Sequence, residues 1–347
     1  MLLAAALRGV GLCLVSMVGA IAAVPNNAPS HAPVVIAMPG GKGGIGFDDL
    51  ACSRILGKVL VPSGQTGKLN LVDPGTRKIV SISGFGTKGD FHGGHGEGIT
   101  SVAEGAGLLF VTDRTSLQLS IVDPATMSVV GRSPLSASPD YVRWLEPAHE
   151  MWVTEPDSER FEVFKLENGT PPRATVVTTI SVPGGPESLV FDLKRGRAYT
   201  HLSSGKTVAI DLGTRTIVAT WSNECTEAKG IALDPERGFL FIACEEGRAV
   251  VLDVTNGKEL GRIDLGGGID IIAYNRDLGH LYVPSGETAT VAIMGVSPLG
   301  ALAQLGTFPT ANDSHCVTSD ANGKIYVGDP DHGRLLVFTD PYPPSPR

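Results

Sequence analysis

The sequence GHLYVPSGETATVAI, residues 279–293, decides the fold of this chain, because variants of it recur from one end to the other. Residues 281–283 are β-forming, and residues 284–288 are typical of a turn. A second strand begins near Thr290. The stretch therefore predicts a β-hairpin that belongs to a repeated unit.

Seven copies of the first strand of this hairpin can be aligned. They are KVLV at 58–61, LLFV at 108–111, EMWV at 150–153, RAYT at 197–200, FLFI at 239–242, HLYV at 280–283 and KIYV at 324–327. The copies are about 44 residues apart, which is the length of a four-stranded propeller blade. The 44 Gly and 24 Pro residues also suit many short strands joined by tight turns. The sequence therefore predicts an all-β, seven-bladed β-propeller over residues 33–340.

The two ends of the chain share the last blade in this prediction. The seventh copy has room for three strands only before a Pro-rich tail, residues 341–347. The segment PVVIAMPGG, residues 33–41, resembles the fourth strand of the third unit, residues 176–185, which also ends in Pro-Gly-Gly. We expect this N-terminal strand to complete the seventh blade, because closure removes two exposed sheet edges.

The Leu-Tyr-Val strands are joined by a second motif. Asp-x-x-Thr follows the third strand of several units, as in 73–76 and 123–126. Together the two motifs resemble the YVTN-repeat family of WD40-like, seven-bladed propellers, over residues from about 33 to 340. Its relatives include lactonase-like, surface-layer-like and haem- or quinone-enzyme-associated propellers. The resemblance implies the architecture and leaves the activity open, because propellers host unrelated chemistries.

Residues 1–23 have the pattern of a secretory signal peptide. Arg8 precedes an apolar run, residues 10–23, that ends in small residues. We expect cleavage after this segment, a linker over 24–32 and a mature protein without membrane insertion; an uncleaved anchor is the alternative. The pattern and the propeller type are typical of bacteria. The expected location is therefore the periplasm or the exterior of the cell.

The net charge of −8 and the absence of a Lys/Arg block oppose binding to nucleic acid. We therefore expect no nucleic-acid partner, and we expect a monomer.

The repeat register predicts a first ring of residues that open the innermost strands at the mouth of the central channel. They are Asp48, Gly98, Asp140, Glu187, Lys229, Asp270 and His315. The loop DFHGGHGE, residues 90–97, also projects toward this mouth and carries His92 and His95. Tyr141, next to Asp140, is a further candidate for stacking on a ligand.

The same register predicts a second ring at the top of the second strands, on the same face of the molecule. Its members are Ser63, Asp113, Glu155, Leu202, Cys244, Ser285 and Asp329. The two rings together predict an acidic, concave mouth.

Two interpretations of this mouth compete. Oxygen ligands from Asp and Glu suit calcium or magnesium, whereas His315 with His92 or His95 favours zinc or copper. Alternatively, the strands open with polar residues because water fills the channel, and each carboxylate accepts a hydrogen bond from the backbone or from Lys229.

Four cysteines remain after the predicted cleavage, and export makes disulfides the expected state. Cys225 and Cys244 both lie on the mouth side of the fifth blade and are expected to pair. Cys52 and Cys316 lie on neighbouring inner strands across the ring closure and are a second candidate pair, although their register differs by about three residues. A copper site of His315, Cys316 and Cys244 is the alternative.

The preferred functional hypothesis is an exported binding or scaffold protein without chemistry of its own. Its mouth binds a small molecule, a metal ion or a protein partner. The alternative is a lactonase-type hydrolase that uses Asp48, Asp140, Glu187, Asp270 and His315. A haem- or quinone-linked electron-transfer partner is a third class. The sequence contains no Gly-x-Ser-x-Gly, His-Glu-x-x-His or Cys-x-x-Cys-His motif.

Overall fold

Seven four-stranded antiparallel sheets form a ring in the computed structural model, which describes residues 32–167 and 169–346. The predicted signal peptide, 1–23, and nearly all of the predicted linker lie outside the described residues. The ring closes because the innermost strand of the first sheet contacts that of the last. The predicted all-β, seven-bladed propeller is confirmed.

The strands are short, and each blade takes four that are consecutive in the chain, apart from the seventh. In chain order they are β1 Val34–Ala37, β2 Ala51–Ser53, β3 Lys58–Pro62, β4 Lys68–Val72, β5 Ile79–Ser83, β6 Ile99–Gly105, β7 Leu108–Asp113, β8 Gln118–Asp123, β9 Ser128–Pro134, β10 Val142–Leu145, β11 Glu150–Glu155, β12 Arg160–Glu167, β13 Arg173–Ser181, β14 Val190–Asp192, β15 Arg197–Leu202, β16 Lys206–Asp211, β17 Ile217–Ser222, β18 Ala228–Asp234, β19 Phe239–Cys244, β20 Arg248–Asp253, β21 Glu259–Asp264, β22 Ala273–Asn275, β23 His280–Ser285, β24 Thr290–Val296, β25 Leu302–Pro309, β26 Val317–Ser319, β27 Lys324–Asp329 and β28 Arg334–Thr339. Two short 3₁₀ helices, Glu146–Ala148 and Pro156–Ser158, lie on either side of β11.

The Asp-x-x-Thr motif builds the turn between the third and fourth strands. The Asp73 carboxylate accepts hydrogen bonds from the backbone N–H groups of Gly75 at 3.0 Å and Thr76 at 2.7 Å. Asp211 binds the amides of its own turn in the same way. Such Asx turns reverse the chain without leaving orphan backbone donors, which explains why the motif repeats.

The N-terminal strand completes the seventh blade as predicted. β1 pairs antiparallel with β28, and the register runs from Val34 opposite Val337 to Ala37 opposite Arg334. The blade order is therefore β26, β27, β28, β1. Both open edges of the array are removed by this pairing.

The apolar core lies mainly between adjacent blades. Trp152 of the third blade meets Phe191 of the fourth edge-to-face, with ring centroids 5.3 Å apart. Phe110 of the second blade stacks on Trp144 of the third at 5.1 Å. Each blade is therefore buried on both faces, and the ring holds the inner strands in fixed positions around the channel.

The Pro-rich tail packs on the sixth blade. Asp340 lies 2.7 Å from the Nδ1 atom of buried His280 and accepts a hydrogen bond of 2.8 Å from the Tyr282 hydroxyl. Further on, the Ser345 amide donates to the Leu278 carbonyl at 2.7 Å. Among the described residues, no helix is long and apolar enough to cross a membrane.

Candidate functional site

The first ring converges at one end of the channel. Asp48, Asp140, Glu187, Lys229 and Asp270 line a cavity of about 260 Å³. An adjoining cavity of about 230 Å³ is lined by Lys229 and Asp270 and also by His315. The structure therefore brings six of the seven predicted first-ring positions together as side chains.

The seventh position, Gly98, has no side chain, but His95 from the loop just before it reaches the cavity. A Cβ on Gly98 would clash with the Gly64 carbonyl, so the backbone passes too close for a larger residue. The His95 Nδ1 atom lies 3.0 Å from the Asp48 Oδ2 atom, and its Nε2 atom lies 3.6 Å from the Asp270 Oδ2 atom. Chiefly because of Asp48, the pKa of His95 is raised to about 9.

The two loop histidines have different environments. His92 is exposed and lines a separate cavity of about 150 Å³ beside the loop. His95 is held over the mouth, because Arg114 donates from its Nη1 atom to the His95 carbonyl at 3.0 Å. Only His95 of the pair joins the first ring.

Arg114 is a mouth residue that the sequence analysis missed. Its Nη2 atom donates to the Asp140 Oδ1 atom at 2.5 Å, and its Nε atom donates to the Pro139 carbonyl at 2.8 Å. It stands one position beyond the second ring, where side chains alternate back toward the channel. The same position in the fifth blade is Glu245, which also lines the mouth. Counting one residue past the second ring in each repeat would have identified Arg114 and Glu245 from the sequence.

Asp48 and Asp140 have opposite pKa shifts in the same cavity. Burial raises the pKa of Asp140 to about 8, opposed by Arg114 and reinforced by Asp48 and Asp270. Burial also acts to raise the pKa of Asp48, but His95, Arg114 and His315 outweigh it and the pKa falls below its ordinary value. The Asp140 carboxyl therefore keeps a proton to a higher pH than the Asp48 carboxyl does.

Lys229 closes the opposite side of the mouth. Its Nζ atom lies 2.7 Å from Glu227, 3.5 Å from Glu245 and 3.9 Å from Glu187. Burial raises the pKa of Glu187 even though Lys229 opposes the shift. This side of the mouth is thus a partly exposed cluster of ion pairs.

His315 lies beside His95, with ring centroids 5.1 Å apart. The His315 Nδ1 atom is 2.6 Å from the Asp313 carbonyl oxygen, and its Nε2 atom is 3.1 Å from the Phe47 carbonyl oxygen. Ligand atoms of His95, Asp270 and His315 all lie within 4.8 Å of one another. This trio has the composition and spacing to hold a metal ion.

The floor of the larger cavity includes Tyr141, which is 3% exposed. Its hydroxyl oxygen is buried and has no hydrogen-bond partner among the described residues. The Arg143 guanidinium lies over its ring, 4.8 Å from the centroid, and binds Asp49. Below, Tyr141 packs with the apolar side chains of Phe47, Leu50 and Ile271. Tyr141 thus lines the cavity with part of its surface, while its hydroxyl oxygen is buried from solvent.

The acids of the second ring lie in the hairpins between second and third strands, away from the first-ring cluster. Asp113 accepts hydrogen bonds from the amides of Gly86 at 2.6 Å and Thr115 at 3.0 Å. Glu155 binds Arg160 at 2.6 Å, and Asp329 binds Arg334 at 2.6 Å. All three are buried and have partners in the blades or the adjoining loops.

One of the two predicted cysteine pairs forms a disulfide and the other does not. Cys225 and Cys244 form a disulfide, as expected. The predicted Cys52–Cys316 pair is wrong, because both are free cysteines. Cys52 lies within β2, whereas Cys316 precedes β26. Three residues of extended strand amount to roughly 10 Å, and a disulfide needs Cα atoms closer than about 7 Å.

Comparisons with known proteins show the fold alone. No family model and no curated protein sequence matches the chain. A chain of the mitotic checkpoint complex is similar with a TM-score of 0.73 and 12% identity, over 95% of this chain and 99% of that one. A chain of Kuenenia stuttgartiensis hydrazine synthase is similar with a TM-score of 0.69 and 12% identity, over 86% of this chain and 96% of that one. The β-propeller domain of Myceliophteria thermophila Cps50 (Swd1) is similar with a TM-score of 0.69 and 11% identity, over 88% of this chain and 99% of that one.

Proposed function

We propose that this protein is an exported binding protein that holds a small polar molecule in the cavity at its mouth. Tyr141 carries the proposal, because this residue lines the cavity and its buried hydroxyl has no partner among the described residues. Leaving a buried hydroxyl without a hydrogen bond costs about 1–3 kcal/mol. A ligand whose binding opens access to this hydroxyl and hydrogen-bonds with it would remove this cost.

The charges around the cavity define the ligand class. Arg114 and Asp140 lie on one side, and Lys229 and Glu187 lie on the other, so donors and acceptors alternate around the opening. At about 260 Å³ the cavity is at the small end for ligand sites. A polyhydroxylated or zwitterionic metabolite of this size fits better than an apolar ligand or a peptide.

Export and family membership are parts of the same proposal. The Cys225–Cys244 disulfide supports an oxidising compartment, the periplasm or the cell exterior. The repeated Asp-x-x-Thr turns support membership in the YVTN-repeat family. A scaffold that binds another protein at the mouth is also consistent with the fold, and it is the competing outcome of the test below.

The test is a thermal-shift screen of sugars, amino acids, hydroxy acids and nucleosides, followed by calorimetry. Tyr141→Phe should weaken binding of a true ligand about tenfold, the loss of one hydrogen bond. Tyr342→Phe in the tail is the matched control and should bind normally. The proposal fails if binding is equal in Tyr141→Phe, or if no small molecule stabilises the protein and none co-purifies with it in native mass spectrometry.

A lactonase-type hydrolase is the second candidate function. It is favoured by the opposite pKa shifts of Asp48 and Asp140, since acid–base catalysis needs two groups in different protonation states. Asp140→Asn should then abolish turnover of a lactone panel while Tyr342→Phe retains it. If the unmodified chain binds a lactone saturably but does not turn it over, the result favours a binding protein over a hydrolase.

A further inference from the structure

Three potential metal ligands reach the mouth from three separate segments. His95 comes from the loop between β5 and β6, Asp270 precedes β22, and His315 precedes β26. Their ligand atoms lie within 4.8 Å of one another. Two imidazoles and one carboxylate are a recurrent donor set for divalent transition ions. The closed ring of blades brings the three segments together, although they are far apart in the sequence.

A second carboxylate orients the first of these ligands. Buried Asp48 lies 3.0 Å from the His95 Nδ1 atom, so the Nε2 atom faces Asp270. Metal-bound histidines commonly use their other ring nitrogen in this way, since a carboxylate or carbonyl partner fixes the ring and makes it a better donor. Asp48 therefore has the position of an orienting residue and not of a ligand.

Asp270 is the ligand with the fewest competing contacts. Within the described part of the chain its carboxylate accepts no hydrogen bond, and the basic group paired with it is the His95 Nε2 atom at 3.6 Å. Its side chain is 20% exposed and borders the cavity of about 230 Å³. This cavity leaves room for water or a ligand atom to complete the coordination.

His315 must give up one contact to bind a metal. Its two nitrogens lie near the Asp313 and Phe47 carbonyl oxygens, and only one of these contacts can remain. The remaining contact would orient the ring as Asp48 orients His95. The contact that is lost is worth about 1 kcal/mol, far less than a bond to a transition ion contributes.

We propose that His95, Asp270 and His315 bind one divalent transition-metal ion, with Zn²⁺ as the best match, and that Asp48 positions His95. Two imidazole ligands favour zinc over calcium, which prefers an all-oxygen shell. The site shares His95 and Asp270 with the lining of the larger cavity, but it does not include Tyr141. Zinc binding can therefore be measured without that molecule, and Tyr141→Phe should retain it.

The first experiment titrates Zn²⁺ against a chromophoric chelator, using the full chain purified without a histidine tag. Non-reducing buffer keeps Cys225 and Cys244 oxidised, so that pair does not take up zinc. We expect one Zn²⁺ per chain, and no binding of Ca²⁺. His95→Gln, Asp270→Asn and His315→Gln should each weaken binding at least about 100-fold, and Asp48→Asn by about 10- to 100-fold.

His92→Gln is the matched control, because His92 is in the same glycine-rich loop but outside the trio. It should bind Zn²⁺ like the unmodified chain. Substitution with Co²⁺ gives a second readout, since its visible absorption reports the coordination geometry and should be lost in the three ligand variants. Circular dichroism confirms that each variant is folded.

The proposal is overturned by any of three results: no Zn²⁺ bound, full binding retained in the folded ligand variants, or an equal loss in His92→Gln.

Discussion

The two rings of polar residues come from one repeat, yet they have different roles in the structure. First-ring residues such as Asp48 and Asp270 face a cavity and are paired mainly with side chains from other blades. Second-ring acids such as Asp113 and Asp329 are buried in turns and bind groups of their own hairpins. The difference shows that two positions in the same repeat differ in whether a carboxylate is free for a ligand. The local supply of N–H donors decides it.

Removal of a second-ring acid should have the largest effect. Asp329→Ala leaves Arg334 and the His332 amide without their buried acceptor. We expect the free energy of unfolding to fall by about 3 kcal/mol, measured by urea denaturation. Asp331→Ala, in the same turn but exposed, should change it by less than about 0.5 kcal/mol. Equal effects in the two variants would contradict a structural role for the second ring.

Blade five has a disulfide cysteine, Cys244, at the second-ring position where three other blades have an acid. The Cys225–Cys244 bond closes a short loop, with a sequence separation of 19. Replacing both cysteines with Ala should cost about 3 kcal/mol in urea denaturation. Cys52→Ser should be close to neutral. Thiol titration of the denatured, unreduced chain without residues 1–23 should find two free thiols, and finding none would restore the Cys52–Cys316 pair.

Blade four has Leu202 at the second-ring position and buries His201 beside it. Burial lowers the pKa of His201 to about 3, below the ordinary value of 6.5. Below pH 6.5 the unfolded chain takes up a proton that the folded chain does not, so stability falls as the pH falls from 6.5 to 3. The slope is about 1.4 kcal/mol per pH unit, or roughly 2 kcal/mol between pH 6.5 and 5.

His201→Gln should remove this slope in urea denaturation measured across that range. His92→Gln, exposed on the loop, should leave the slope unchanged. An unaltered acid-side slope in His201→Gln would show that another group causes it.

Neutralising a partly exposed first-ring acid should have the smallest effect on stability. Glu187→Gln leaves Lys229 with Glu227 and Glu245, and water reaches the site. The free energy of unfolding should change by less than about 1 kcal/mol, and the zinc affinity should stay the same. If Glu187→Gln lowered the free energy of unfolding as much as Asp329→Ala, the two rings would not differ in their contribution to stability.

The sequence was sufficient for the architecture because the alternation of strand and turn residues repeats at a fixed interval. It also located most of the mouth, since residues such as Asp140 and His315 occupy equivalent positions. It could not separate His95 from His92, because glycines flank both and the choice depends on Arg114 and Asp48. The sequence analysis paired Cys52 with Cys316 because the two lie in neighbouring blades. It did not account for their different positions along the strands.

The pairing of β1 with β28 has a consequence for the order of folding. Val34, near the beginning of the chain, finds its partner Val337 near the end. A chain made from its N-terminus cannot close the ring until almost all of it exists, and every shorter intermediate keeps two sheet edges open to other molecules. Closure of the ring therefore has to wait until residues 334–337 have been synthesised. Because this contact has a very large sequence separation, closure is expected to be the slow event.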